Sequence, residues 1–212
     1  MLRSLVRRTV LAGARETQAE FYFKYVMPFS DLQLRTTPPL IILDSVRHAG
    51  NVASVLRNCS LFGFKLVVLS LPEAPSKTFL RNCIRHTCVK AHADAEAPSF
   101  HLVIDSPPVP ELLADLRGRG YQVVGLHPVG GEALWTALGA ASGYQNQGSR
   151  PLAIVAGAER EGLSPAAVAS CTHLASIPAV EPSGVFNVSI AVEVACYEAF
   201  RQASFMPFVE VR

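Results

Sequence analysis

The sequence predicts an α/β fold, a mostly parallel sheet with helices on both faces, and two observations carry that prediction. From residue 39 onward, short apolar runs alternate with amphipathic segments at helical spacing. The runs are also apolar throughout instead of alternating, as strands are when both faces of a sheet are covered. Half of the 212 residues are apolar and 17% charged, enough for one domain with a substantial core.

Taken in order, Leu40 to Leu43 reads as a strand, Asn51 to Phe62 as a helix with Val52, Val55, Leu56, Cys59 and Phe62 on one face, and Leu66 to Leu69 as a strand. Ser76 to Arg85 reads as a helix, His101 to Ile104 as a strand, and Pro110 to Leu116 as a helix stopped by Gly118 and Gly120. Tyr121 to Leu126 is the next strand, followed by a short helix around Leu134 to Leu138 and a polar Gly/Ser/Asn/Gln loop ending near Gly148. Leu152 to Ala156 is a strand. Pro165 to Ala169 is a helix with Ser164 as its N-cap and Pro165 at the first helical position. Leu174 to Ile177 is the last strand, and a turn-rich loop with Pro182 and Gly184 leads to Asn187, which opens a helix carrying Val188, Ala191, Val192, Ala195 and Ala199 at helical spacing.

The longest apolar runs, such as Leu66 to Leu69, fall far short of the roughly 20 residues a membrane span requires, so no membrane partner is expected. Residues 1–90 hold 13 Lys/Arg against 5 acids and the remainder 6 against 12, an asymmetry that points to a polyanionic partner for the front of the chain. The opening MLRSLVRRTVLAGAR has four arginines and no acid. It fits a basic amphipathic helix running toward Tyr25 or a mitochondrial presequence. Residues 1–38 are therefore set apart as a basic arm and 39–212 as the domain, with a cytoplasmic location expected and a mitochondrial one as the alternative. Five cysteines without a CxxC pair fit reduced core thiols. Cys83, His86, Cys88 and His92 fall close together, but at no zinc-ligand spacing.

Three segments place polar residues where an α/β edge would otherwise be apolar. In DSVRHAGNVASVLRNC, Asn51 starts a helix and Arg57 follows six residues later. Both can reach one side of it, and Arg57, flanked by Leu56 and Cys59, is expected to have a partly buried stem and a phosphate or carboxylate partner. In LAIVAGAEREGLS, Gly157 directly after a strand permits close approach of a ligand, Gly162 a tight turn, and Glu159 lies between them, placed for backbone N–H groups or a cation such as Arg57. Neither GxGxxG nor GK[ST] is present. In IPAVEPSGVFNVSIA, Asn187 stands at a helix start, either as a plain N-cap or facing a ligand.

The three together, an Asn-x5-Arg helix after the first strand, a strand-GxExxG-L loop and a closing IP-x7-FNVS-x-A, resemble the SpoU class of RNA 2′-O-ribose methyltransferases of the SPOUT superfamily, from about Pro39 to Ala203. The resemblance implies a deep C-terminal trefoil knot and S-adenosylmethionine bent among the strand end at Leu126, the loop at Gly157 and the stretch from Ile177 to Phe186. It also implies a homodimer in which the Arg of one subunit works beside the cofactor of the other, and a tRNA or rRNA substrate. Arg57, Asn51, Glu159 and Asn187 fall on the motif positions. Two positions depart from the pattern: Ala53 stands where Gly is usual, and Val185 where Ser is usual. A knotted RNA-binding dimer without transfer activity and a base-directed knotted methyltransferase are the alternatives.

Overall fold

The computed structural model describes residues 25–32, 39–88, 100–141, 150–181 and 185–205. The expected arm helix before Tyr25, His92, the polar loop before Gly148, and Pro182 to Gly184 lie outside them. Eight strands form one sheet: β1 (Val26–Pro28), β2 (Leu40–Asp44), β3 (Leu66–Ser70), β4 (His101–Ile104), β5 (Gln122–Leu126), β6 (Glu132–Ala133), β7 (Leu152–Ala156) and β8 (His173–Ser176). The helices are α1 (Ala49–Cys59), α2 (Lys77–Cys88), α3 (Val109–Gly118), α4 (Leu134–Ala141), α5 (Pro165–Ser170) and α6 (Val188–Phe205). The strand order is β1-β4-β3-β2-β7-β5-β8-β6, and each pairing is parallel.

The pleat sorts the strand residues between two cores. Ile41 and Leu43 of β2 face one side with Val67, Leu69, Val124 and Ile154, and α1, α2, α4 and α6 cover it through Val55, Leu56, Ile84, Leu138 and Val192. Leu40 and Ile42 face the other with Val68, Val123 and Val155, under α3 and α5 through Leu112, Leu113, Leu116 and Ala167. Burial on both faces explains why β2, β3 and β7 are apolar at successive positions. Ser164 caps α5 as expected, its hydroxyl accepting from the Ala167 N–H at 3.2 Å.

Several boundaries differ from the sequence reading. The first helix begins at Ala49 and ends at Cys59, and Ser60–Phe62 continues as a 3-10 turn closed by Gly63 at φ +87°. α2 and α4 each run three residues further than read. Two strands were missed, both very short and at the sheet's edges: β6, and β1, which lies within the segment assigned to the arm and pairs with β4. Tyr25, beside β1, stacks on Phe100 with ring centroids 5.1 Å apart. Cys59, Cys83 and Cys196 are buried free thiols, and burial pushes Cys83 up to about 12. Among the described residues no group of three or more His, Cys, Asp or Glu side chains could hold a metal, and no helix is long and apolar enough to cross a membrane.

Candidate active site

The carboxyl ends of β7, β5 and β8 lie side by side, since Leu126 is in register with Ala156 on one side and with Ala175 on the other. Gly157, Leu126 and Ile177 are therefore within a residue or two of one another along a common edge, where open α/β sheets bind ligands. Leu126 and Ile177 are half-buried and pack against the α1/α6 core. The His127 N–H donates to the Ala175 carbonyl at 2.9 Å, extending the β5–β8 contact past the strand ends.

After β7 the chain closes into a small turn. The Gly162 N–H donates to the Ala158 carbonyl at 2.9 Å, the two residues form an antiparallel bridge, and Gly162 has φ +68°. A Cβ on Gly157 would collide with the Gly162 carbonyl and the Leu163 nitrogen. The structural reason for glycine at 157 is thus the chain's own backbone folding over it, where the sequence reading had a ligand approach. Glu159 sits at the tip of this turn.

Three distant segments meet there. The Asn51 Nδ2 donates to Glu159 Oε1 at 2.7 Å, and the Asn187 Nδ2 donates to Asn51 Oδ1 at 3.3 Å. Asn187 Oδ1 in turn accepts from the Ser189 N–H at 2.9 Å and the Ser189 hydroxyl at 2.8 Å. The Ser189 backbone N–H can only donate, so Asn187 turns its oxygen to it and its amide nitrogen to Asn51, which in turn directs its own amide nitrogen at Glu159. Both amide orientations are thereby fixed by chemistry. Asn187 is also the N-cap of α6, its carbonyl accepting from the Ala191 N–H at 2.9 Å, so of the two roles weighed for it the cap is the one seen here. Glu159 is held by Asn51 rather than by backbone N–H groups or Arg57, a correction to the sequence reading.

Arg57 also departs from its expectation. It is exposed, and its Nε donates to Asn58 Oδ1 at 3.2 Å, because the buried set Val52, Val55, Leu56 and Cys59 turns position 57 outward. Phe186 and Val185 are exposed apolar residues next to Asn187, at 42% and 71%. Sequence reasoning missed Ser54, Asn58 and Glu193. The Asn58 Nδ2 donates to Ser54 Oγ at 3.3 Å, and that hydroxyl donates to Glu193 Oε1 on α6 at 2.7 Å. The i, i+4 spacing of Ser54 and Asn58 could have flagged the first pair, whereas Glu193 lies 139 residues from Ser54.

Residues 38–197 match the family model described as the SpoU rRNA Methylase family. An uncharacterized tRNA/rRNA methyltransferase of Synechocystis sp. is 31% identical over 172 residues, covering 80% of this chain and 40% of that protein. The 23S rRNA (guanosine-2′-O-)-methyltransferase RlmB of Pectobacterium atrosepticum is 32% identical over 165 residues, 78% of this chain and 60% of that one. The chain thus spans about half the length of these relatives. A crystal structure of an AdoMet-bound rRNA methyltransferase from Sinorhizobium meliloti superposes with a TM-score of 0.61 at 23% identity, over 84% of this chain and 61% of that one; at that identity the likeness speaks to the fold.

Proposed function

Because the chain belongs to the SpoU rRNA methylase family, we propose that it transfers a methyl group from S-adenosylmethionine to a ribose 2′-hydroxyl of tRNA or rRNA. The observation that carries the reading is the linkage of Glu159, Asn51 and Asn187, from three separated segments, at one edge of the sheet, with Arg57 further along the helix that carries Asn51. The 2′-O specificity is supported by the RlmB relative, whose name states it, and the cofactor by the AdoMet-bound neighbour.

The residues present suit such a cofactor. Leu126 and Ile177 are half-buried and Phe186 is exposed, which leaves apolar surface for an adenine ring beside strand-end backbone groups that can take polar edges. Leu126, Gly157, Ile177 and Phe186 would hold it. When bound, it supplies a methyl group already activated on a sulfonium. The protein's part is then chiefly positioning. Arg57 orients the ribose hydroxyl and its neighbouring phosphate and stabilises developing charge, roles that a guanidinium's fixed fork of N–H donors suits better than that of a base. Asn51 and Asn187 tie the Glu159 turn and the start of α6 to α1, so the walls of the site move as one.

Two further features belong to the same reading. β7 lies between β2 and β5 while β8 lies beyond β5, and the chain then returns to pack α6 on α1 and α4, a path that suits the trefoil knot. An apolar strip of Leu61, Ile190 and Tyr197 stays exposed, which suits a homodimer with Arg57 working beside the partner's cofactor.

The test is transfer of a labelled methyl group from S-adenosylmethionine to total RNA, with identification of the modified nucleoside. Arg57→Ala should abolish transfer while calorimetry still detects cofactor binding. Near-wild-type turnover in that variant would remove Arg57 from the mechanism. RNA binding without transfer by the wild type would favour the inactive dimer, the reading to which Val185 in place of the usual Ser lends weight.

A further inference from the structure

A second line of hydrogen bonds runs along α1, separate from the one through Asn51. The Arg57 Nε donates to Asn58 Oδ1 at 3.2 Å, the Asn58 Nδ2 to Ser54 Oγ at 3.3 Å, and the Ser54 hydroxyl to Glu193 Oε1 at 2.7 Å. Its direction is determined from the arginine end: a guanidinium N–H can only donate, so Asn58 must turn its oxygen to Arg57 and its amide nitrogen to Ser54, which leaves the Ser54 proton for Glu193. Each bond polarises the next, which strengthens the series beyond three independent contacts.

We propose that Glu193, Ser54 and Asn58 are positioning residues that set the direction of the Arg57 guanidinium from the C-terminal helix. Arg57 is exposed and its long side chain would otherwise sample many rotamers. Holding it at Nε leaves both Nη groups for a bidentate grip on a phosphate or a ribose oxygen. The anchor is half-buried Glu193, one turn along α6 from the Ser189 that ends the first relay. One helix therefore fixes the Glu159 turn through Asn187 and the arginine through Glu193. The inference rests on the methyl-transfer reading for what Arg57 does, but not for where its guanidinium points.

Two measurements separate the two ideas. Steady-state transfer in Asn58→Ala and Ser54→Ala should show kcat down by about tenfold or more, the scale of a displaced reacting group, with KM for S-adenosylmethionine unchanged. Glu193→Gln, which keeps an acceptor for the Ser54 hydroxyl, should retain turnover, whereas Glu193→Leu should not. In parallel, the Arg57 Nε–H resonance, assigned by its absence in Arg57→Lys, should shift and exchange faster in Asn58→Ala and Ser54→Ala. An unmoved resonance in both variants overturns the relay whatever the turnover, and undiminished turnover in both overturns its positioning role. If the wild type transfers no methyl group, the functional reading fails, and the resonance alone decides whether the relay holds Arg57.

Discussion

A single methyl group at Gly157 would meet atoms that cannot retreat. The Gly162 carbonyl and Leu163 nitrogen lie where the Cβ would go, and Gly162 is locked by its positive φ and its bond to Ala158. Gly157→Ala should therefore cost about 2–3 kcal/mol, the upper part of the range for overpacking, and weaken S-adenosylmethionine binding. Thermal melts and calorimetry read both, and unchanged cofactor affinity would mean that the turn does not shape the site. Asp44 lies one residue past the Leu43–Ala156 register pair, beside this glycine. Burial raises its pKa above 3.8, opposed by the bond from the Ser45 hydroxyl. The folded chain thus holds the Asp44 proton more tightly than the unfolded chain, and stability falls as pH rises from about 3.8 through the raised value. In Asp44→Asn that loss disappears. Melting temperatures of variant and wild type should agree in acid and separate above that window, with the variant higher. Residue types in the site were legible from the sequence, and even the outward turn of Arg57 was implicit in the spacing of Val52, Val55, Leu56 and Cys59. Its anchor on Glu193 was not, because no local pattern reports a contact across 139 positions.

Among elements, α6 carries the heaviest demand, because the residue that caps it also belongs to the site. Asn187 accepts from the Ser189 N–H to start the helix and donates to Asn51 to close the site. Aspartate separates the two jobs. Asn187→Asp keeps the cap acceptor, so it should melt near the wild type, yet it brings only acceptors toward Asn51 Oδ1 and breaks the link to Glu159. Methyl transfer should fall in Asn187→Asp with little loss of stability. Asn187→Ala should lose transfer and about 1 kcal/mol of stability as well, the usual worth of such a cap. Equal melting of the two variants would show that the cap contributes nothing. The strands β2, β3 and β7 were readable because each carries four or five consecutive apolar residues buried on both faces. β1 and β6 were not: at three and two residues they have no period to read, and their pairing partners, β4 and β8, supply the order.

At the scale of the molecule, the resemblance to the SpoU class implies a two-subunit site, and the test follows from symmetry. Ile190 and Tyr197 stand seven residues apart on α6, and they, Leu61, Val185 and Phe186 are exposed apolar residues that the proposed homodimer would cover. Introducing charge there, as Ile190→Glu with Tyr197→Glu, should shift the sedimenting species from dimer to monomer and abolish transfer while α6 keeps its buried side, Val192, Ala195, Cys196 and Ala199. A subunit-mixing experiment then asks which chain serves which site. Arg57→Ala has an intact cofactor turn and no reacting arginine, and Gly157→Ala has the reverse, so at an S-adenosylmethionine concentration too low to load the Gly157 variant each is inactive alone. In a two-fold dimer with Arg57 acting in trans, random exchange makes half the dimers mixed, and each mixed dimer holds one complete site. Activity should return to about a quarter of the wild-type level, measured below the melting temperature of the Gly157 variant. If Arg57 acts within its own subunit, no mixture contains a complete site and activity stays at zero.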